Sequence, residues 1–278
     1  MTYNPSGLVA STHPVMTPTS QTALVTGATS GIGCELARLF AQDGISLVLV
    51  ARQPELDAIK ADFEVQYGIR VSCLAADLAA PGQATAVYRQ CQEQGIELDY
   101  LVNNAGFGSY KNVVEEKPDL YENMLTLNVL AVTTLTALVS RDMVRHRRGR
   151  ILNVGSTSAF QPVPRMAVCG ASKSYVMNFT EALHAELRGT GVTATVLSPG
   201  VTATAFIKRA AMGSWSGAQG TAHGGGSGPG WLPGHAAGPT ECSNGLKKQV
   251  IGFRNQPSAV PAPKVGYVVA LHARSVGN

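Results

Sequence analysis

Paired cysteines are missing from this sequence. Its five cysteines, Cys34, Cys73, Cys91, Cys169 and Cys242, are odd in number, far apart and never spaced as CxxC. This argues against a disulfide framework and against a zinc site, so no metal is expected, and free thiols point to a reducing, cytoplasmic setting. Charge is also sparse. Charged residues make up 14% of the chain, for a net charge of +4. Residues 1–210 carry 17 Lys/Arg and 17 Asp/Glu, so the excess lies beyond them, on Lys247, Lys248, Arg254, Lys264 and Arg274 against the single acid Glu241. Nucleic-acid binding needs dense clusters of cations, and none is expected from so thin a scatter. No uninterrupted apolar run reaches about 18 residues, so no membrane span is expected. The first twenty residues, "MTYNPSGLVASTHPVMTPTS", have neither the basic start nor the apolar stretch of a signal peptide and read as a flexible leader.

What the chain does have is a hydrophobic share of 45%, enough for a core. From Gln21 short apolar runs alternate with longer segments of helical period. The runs are "TALVTG" (22–27), "SLVLVA" (46–51), "RVSCLAAD" (70–77), "LDYLVNNAG" (98–106), "RILNVGS" (150–156) and "VTATVLSPG" (192–200). They are rich in Val, Leu and Ile with little alternation, as parallel strands buried on both faces require. The intervening segments, near 31–43, 54–67, 81–95, 118–147 and 166–189, are predicted helices. Strand–helix alternation predicts an α/β, doubly wound parallel sheet of the Rossmann type, with its ligand site beyond the carboxyl ends of the strands. The domain is expected over 21–210. The two long helices 118–147 and 166–189 are candidate contacts for a homo-oligomer.

The pattern stops near Ala210. Residues 211–278 hold 14 Gly and 6 Pro, a composition near that of low-complexity chain, and a disordered tail is expected there. "YVVALHA" (267–273) is the one later strand candidate. The basic run "RDMVRHRRGR" (141–150) ends a long helix, where cations complement the helix dipole. His184, His223 and His235 show no ligand spacing.

The first strand runs into "TGATSGIG" (26–33) and then a helix. Glycines in such a turn let backbone N–H groups approach a phosphate, and the helix adds its positive end. Gly27, Ser30, Gly31, Ile32 and Gly33 are therefore candidate cofactor residues. The second strand ends "VLVARQ". An acid at that place reads the ribose 2′-OH of NAD, whereas an Arg accommodates the 2′-phosphate of NADP. This chain offers Arg52 and no acid before Glu55, so NADP(H) is expected.

Taken with "NNAG" (103–106), Asn128 in "LNV", Ser156 in "NVGS", the "ASK" that holds Lys173 and "SPGVTAT" (198–204), the glycine turn resembles that of the classical short-chain dehydrogenase/reductase family. The order and spacing agree over about 22–206. The resemblance implies hydride transfer between a nicotinamide and a small-molecule carbonyl or alcohol. It implies that Asn128, Ser156 and Lys173 act at the reacting centre, with Lys173 also holding the nicotinamide ribose. It implies cofactor contacts from Asp77 and Leu78, from Asn104, Ala105 and Gly106, and from Pro199, Gly200, Val201 and Thr204. After Thr204 the family would continue with a substrate-covering helix, and this chain gives Gly-rich sequence instead. With suitable codons, residues 229–238 and 241–250 read one base later resemble the segments that the family would place there.

The departure within the motif set is Cys169. It stands thirteen residues after Ser156 and four before Lys173, where the resemblance implies a catalytic tyrosine. Its sulfur ends one bond past Cβ, a ring short of a phenol oxygen. The neighbouring Lys173 cation is expected to draw the thiol toward thiolate, which cannot donate a proton. Losing a positioned acid costs about 10²–10⁴ in rate. Tyr175, six residues on, is rotated by about 240° to another helix face. The sequence thus leaves two readings: an NADP(H)-dependent oxidoreductase impaired at residue 169, or a dinucleotide-binding protein without turnover that acts as a sensor or interaction subunit.

Overall fold

Short unbroken runs of branched aliphatic residues become the strands, and five of them (22–26, 46–51, 100–103, 149–154 and 192–198) are buried at nearly every residue. The computed structural model describes residues 19–52, 56–200 and 267–269. The leader, apart from its last two residues, and the tail from Val201, apart from 267–269, lie outside them. The strands are β1 (Thr22–Thr26), β2 (Ser46–Ala51), β3 (Val71–Ala75), β4 (Tyr100–Asn103), β5 (Gly149–Val154), β6 (Val192–Ser198) and β7 (Tyr267–Val269). All are parallel, in the order β3-β2-β1-β4-β5-β6-β7. β2 and β6 are buried at every residue, as a strand covered on both faces must be. β7, within the stretch singled out at 267–273, pairs with β6 at Val196↔Tyr267.

The helices are α1 (Gly31–Gln42), α2 (Leu56–Tyr67), α3 (Gln83–Glu93), α4 (Pro118–Leu125), α5 (Val132–Arg145) and α6 (Ala167–Glu186). Successive side chains of a strand point to opposite faces. Ala23 and Val25 of β1 therefore join one core with Leu36 and Phe40 of α1 and Phe63 of α2. Leu24 joins another with Val87 of α3 and Leu135, Val139 and Met143 of α5. Each such fully buried Leu or Phe contributes about 1.5–3 kcal/mol.

The stretch 118–147, read as one helix, is α4 and α5 joined by a turn of π-helix, Thr126–Ala131. By length and composition alone Pro118–Arg145 is apolar enough to cross a membrane, a test that buried core helices also meet. In this fold its face bearing Leu135, Thr136, Val139 and Met143 is buried in the core. The strand order reverses between β1 and β4. In a doubly wound sheet that reversal opens a crevice at the carboxyl ends of the strands, which places the ligand site.

Candidate active site

The turn leaving β1 is built for a close approach. Gly27 and Gly31 have φ of 64° and 57°, a left-handed conformation open to glycine. A Cβ on Gly33 would lie 2.3 Å from both the Gly27 carbonyl oxygen and the Asn104 amide nitrogen, so only glycine lets α1 start this near the turn. Ser30 caps α1 by position, but its side chain makes no capping bond, and no acid stands in the first turn. The helix thus keeps its first backbone donors for another partner. Ile32 faces inward against the core.

The next turn, after β4, grips the first. The amide of Asn104 donates to the carbonyls of Thr26 and Gly27 at 3.0 and 3.1 Å. Thr26 Oγ1 accepts the backbone N–H groups of Asn104 and Ala105 at 2.9 and 3.0 Å and donates to the Val102 carbonyl. Asn104 is therefore occupied in bracing the glycine turn. Thr26 is a bracing residue that the sequence reasoning missed, since a hydroxyl bonded to distant backbone leaves no local pattern.

Asn128 lies in the π-helical turn and is 1% exposed. Its amide donates to the Phe107 carbonyl at 3.0 Å and to Ser172 Oγ at 3.1 Å, and its oxygen accepts the Phe107 N–H. Turns of π-helix recur at functional sites because they swing one side chain off the helical register. Ser172, within the "ASK" motif, passes the link on by donating to the Cys169 carbonyl at 2.7 Å. Lys173 Nζ donates to the Val154 carbonyl at 2.8 Å. A Cβ on Gly106 would meet Asn128 Oδ1 at 3.0 Å and Lys173 Nζ at 3.6 Å. Gly106, Asn128 and Lys173 thus converge. Ser156, at the end of β5, accepts the Ser158 N–H on Oγ. Its hydroxyl hydrogen stays available to a carbonyl oxygen.

Cys169 sits one helical turn before Lys173 on α6 and is buried. Burial pushes its thiol above the ordinary value and outweighs the pull of Lys173. The expected drift toward thiolate is thereby corrected: the thiol keeps its proton, because the same packing that brings the lysine close removes water. Burial lowers Lys173 in turn, against the opposing effect of Cys169. Tyr175 does lie elsewhere, half-exposed, stacked on Phe179 and bonded to Thr133 at 2.9 Å.

The other candidates divide. Arg52 is exposed just past β2 and forms no ion pair with another described residue. Asp77 is exposed and accepts the Ala79 N–H, while Leu78 is packed into the core. Pro199 follows β6, and its carbonyl accepts the Thr157 N–H. Gly200 is next to it, and Val201 and Thr204 lie outside the described residues. No group of three or more His, Cys, Asp or Glu able to hold a metal occurs among the described residues. Within the basic run at 141–150, Arg145 pairs with Asp142 and Arg148 with Glu97 and Asp99, and His146 Nδ1 lies 3.1 Å from the Glu97 carboxylate.

Comparison with known proteins adds independent findings. The family model described as short chain dehydrogenase matches residues 21–213. Very-long-chain 3-oxoacyl-CoA reductases of Anas platyrhynchos and Homo sapiens are each 33% identical over 193 residues, 67% of this chain and 61% of theirs. The chain thus spans about three-fifths of the length of these curated relatives. Among solved structures, a short-chain dehydrogenase from Sphingobium yanoikuyae in complex with NADPH superimposes with a TM-score of 0.74 at 30% identity, covering 90% of this chain and 87% of that one. L-sorbose reductase from Gluconobacter frateurii, complexed with NADPH and L-sorbose, gives a TM-score of 0.64 at 30% identity over 68% of this chain and 73% of its own.

Proposed function

This chain belongs to the short-chain dehydrogenase family, and from that premise we propose that it is an NADP(H)-dependent oxidoreductase acting at a carbonyl or alcohol carbon, with turnover curtailed at Cys169. The observation that carries the proposal is the meeting of Gly106, Asn128 and Lys173 beside the end of β5 that presents Ser156. The relatives' names point the same way. A 3-oxoacyl thioester in one case and L-sorbose in another share a carbonyl carbon.

The residues present fit a dinucleotide. The glycine turn leaves no side chain between backbone donors and a phosphate, and the α1 terminus is uncapped by its serine. Arg52 is exposed and free of described acids, which suits a 2′-phosphate, and the two NADPH-bound neighbours support that choice. Asp77, Ala105, Gly106, Pro199, Gly200, Val201 and Thr204 are the further proposed contacts, while Asn104 acts by bracing. A bound nicotinamide supplies or takes up the hydride. The protein's part is positioning and proton handling. Ser156 donates to the substrate oxygen. Lys173 is held by the Val154 carbonyl, and Asn128 ties the loop after β4 to α6 through Ser172. Cys169 stands where the family resemblance implies a phenol. As a buried thiol of raised pKa it holds its proton, yet it is short of the reach that a ring would give.

NADPH oxidation over a panel of aldehydes and ketones, for this chain and for Cys169→Tyr, tests the proposal. Turnover that rises in the variant supports it. The short reach of Cys169 favours one other reading, a dinucleotide-binding protein without turnover. NADPH binding with no oxidation by either protein selects that reading. The half-exposed Tyr175 and the exposed Leu130, on neighbouring outward helix surfaces, support pairing with a second copy, which light scattering checks. The free thiols of Cys34, Cys73, Cys91 and Cys169 support a reducing compartment.

A further inference from the structure

The loop between β5 and α6, residues 155–166, reads "GSTSAFQPVPRM" and carries a single charge, Arg165. Arg165 has a φ of 66°, one of two non-glycine residues with positive φ among those described. Side chains hold that conformation only where the surroundings enforce it, and such residues gather at functional sites. Pro162 and Pro164 stiffen the approach by fixing their own φ. The guanidinium lies over the ring of Tyr110 at 4.3 Å. Tyr110 belongs to the loop after β4, four residues past Gly106. The stacked pair therefore joins the loops that leave β4 and β5, the two strands whose ends carry Gly106 and Ser156.

Stacking occupies the face of a guanidinium and leaves the donors in its plane free. A carboxylate is the group that this fork matches, by two parallel hydrogen bonds. No described carboxylate takes that place, and Arg165 forms no ion pair among the described residues. The acids of the facing loop are engaged elsewhere. Glu116 accepts from Ser109 and the Lys117 N–H and pairs with Lys111, and Glu115 accepts from Asn112. Around the same loops, Val113, Val114 and Phe160 are exposed apolar side chains. An exposed cation stacked on a ring beside apolar surface is a recognition pattern for an apolar chain that ends in an acid.

We propose that Arg165 is a specificity-determining residue that anchors an anionic group of the substrate, so that the preferred substrates are aliphatic carbonyl compounds bearing a carboxylate. This rests on the reading of the chain as a dehydrogenase and names the substrate class of that site.

Calorimetric titration of the full chain with decanoate and with 1-decanol tests it, since the two differ at the head group and share the chain. Each titration is run with and without saturating NADPH, and NADPH affinity is measured for every variant. Decanoate is expected to bind about tenfold tighter than 1-decanol, the scale of a charge-assisted hydrogen bond. Arg165→Gln is expected to bring the two to parity at unchanged NADPH affinity, and Arg165→Lys to keep part of the preference. Equal binding of the two probes by the parent chain overturns the proposal. So does a decanoate preference that survives Arg165→Gln. Loss of NADPH affinity in Arg165→Gln also overturns it, because Arg165 then serves only as a latch between loops. A parent chain that binds no NADPH refutes the dehydrogenase reading instead, and the titrations without cofactor still decide the role of Arg165.

Discussion

Replacing Thr26 by valine removes one oxygen and almost no volume. In the fold that oxygen accepts the N–H groups of Asn104 and Ala105 and donates to the Val102 carbonyl, and Thr26 is 2% exposed. Valine fills the same space, so no cavity opens. The loss is of hydrogen bonds alone. Each polar group left buried without a partner costs about 1–3 kcal/mol. Two stranded N–H groups in one turn then cost about 2–5 kcal/mol, allowing for incomplete additivity. That is a large part of the roughly 5–15 kcal/mol that holds a domain together. Because Asn104 also holds the Gly27 carbonyl, the phosphate turn loosens with it. The assay is urea unfolding of parent, Thr26→Val and Thr26→Ser, with NADPH affinity measured on each. Thr26→Ser keeps the oxygen and is expected within about 1.5 kcal/mol of the parent, the scale of a lost methyl group. If Thr26→Val unfolds at the parent's midpoint and binds NADPH as well, the bracing role assigned here is wrong.

Cys169→Tyr is expected to raise kcat/KM for NADPH-dependent reduction, by at most the 10²–10⁴ that a positioned acid contributes; steady-state assays that show no gain contradict the site assignment. Gly33→Ala is expected to lose about 1–3 kcal/mol of stability by overpacking, since its Cβ would press on the Gly27 carbonyl at 2.3 Å, and denaturant titration reads this directly. Burial raises the Cys91 thiol from 9.0 to about 11. Above pH 9 the unfolded thiol ionises while the folded one stays protonated. Stability is thus full below pH 9 and falls by up to about 3 kcal/mol as the pH climbs to 11. Cys91→Ala should flatten that part of the stability curve, and an unchanged slope counts against it.

The architecture could be read from the sequence because its signals are local. Six unbroken aliphatic runs, with a helical segment between each run and the next, fix a parallel sheet almost without regard to which helix packs where. The glycine turn was equally plain, since only glycine tolerates a φ of 64° at Gly27 without cost. What stayed hidden depends on contacts far apart in the chain. The turn of π-helix at Thr126–Ala131 shifts the register by too little to disturb a hydrophobic period, yet it places Asn128. Thr26 works through one hydroxyl whose three partners lie 76–79 residues away, and Ser172 through one that accepts from Asn128, 44 residues away. The family resemblance implied a cofactor contact at Leu78, whereas the packing of its side chain in the core depends on which sheet face it meets. The charge state of Cys169 was misjudged for the same reason. Its neighbour Lys173 is visible in the sequence, whereas the burial that outweighs that lysine is not.

The choice of cofactor tests the account most directly, because it joins the glycine turn, the end of β2 and the family in one quantity. Fluorescence titration of the full chain with NADPH and with NADH, repeated on Arg52→Asp, measures it. NADPH is expected to bind at least about tenfold tighter than NADH, the scale of one charge-assisted contact to the 2′-phosphate. Arg52→Asp is expected to reverse the order. Equal affinities in the parent, or a preference untouched by the substitution, contradict the claim that this turn and Arg52 form an NADP(H) site.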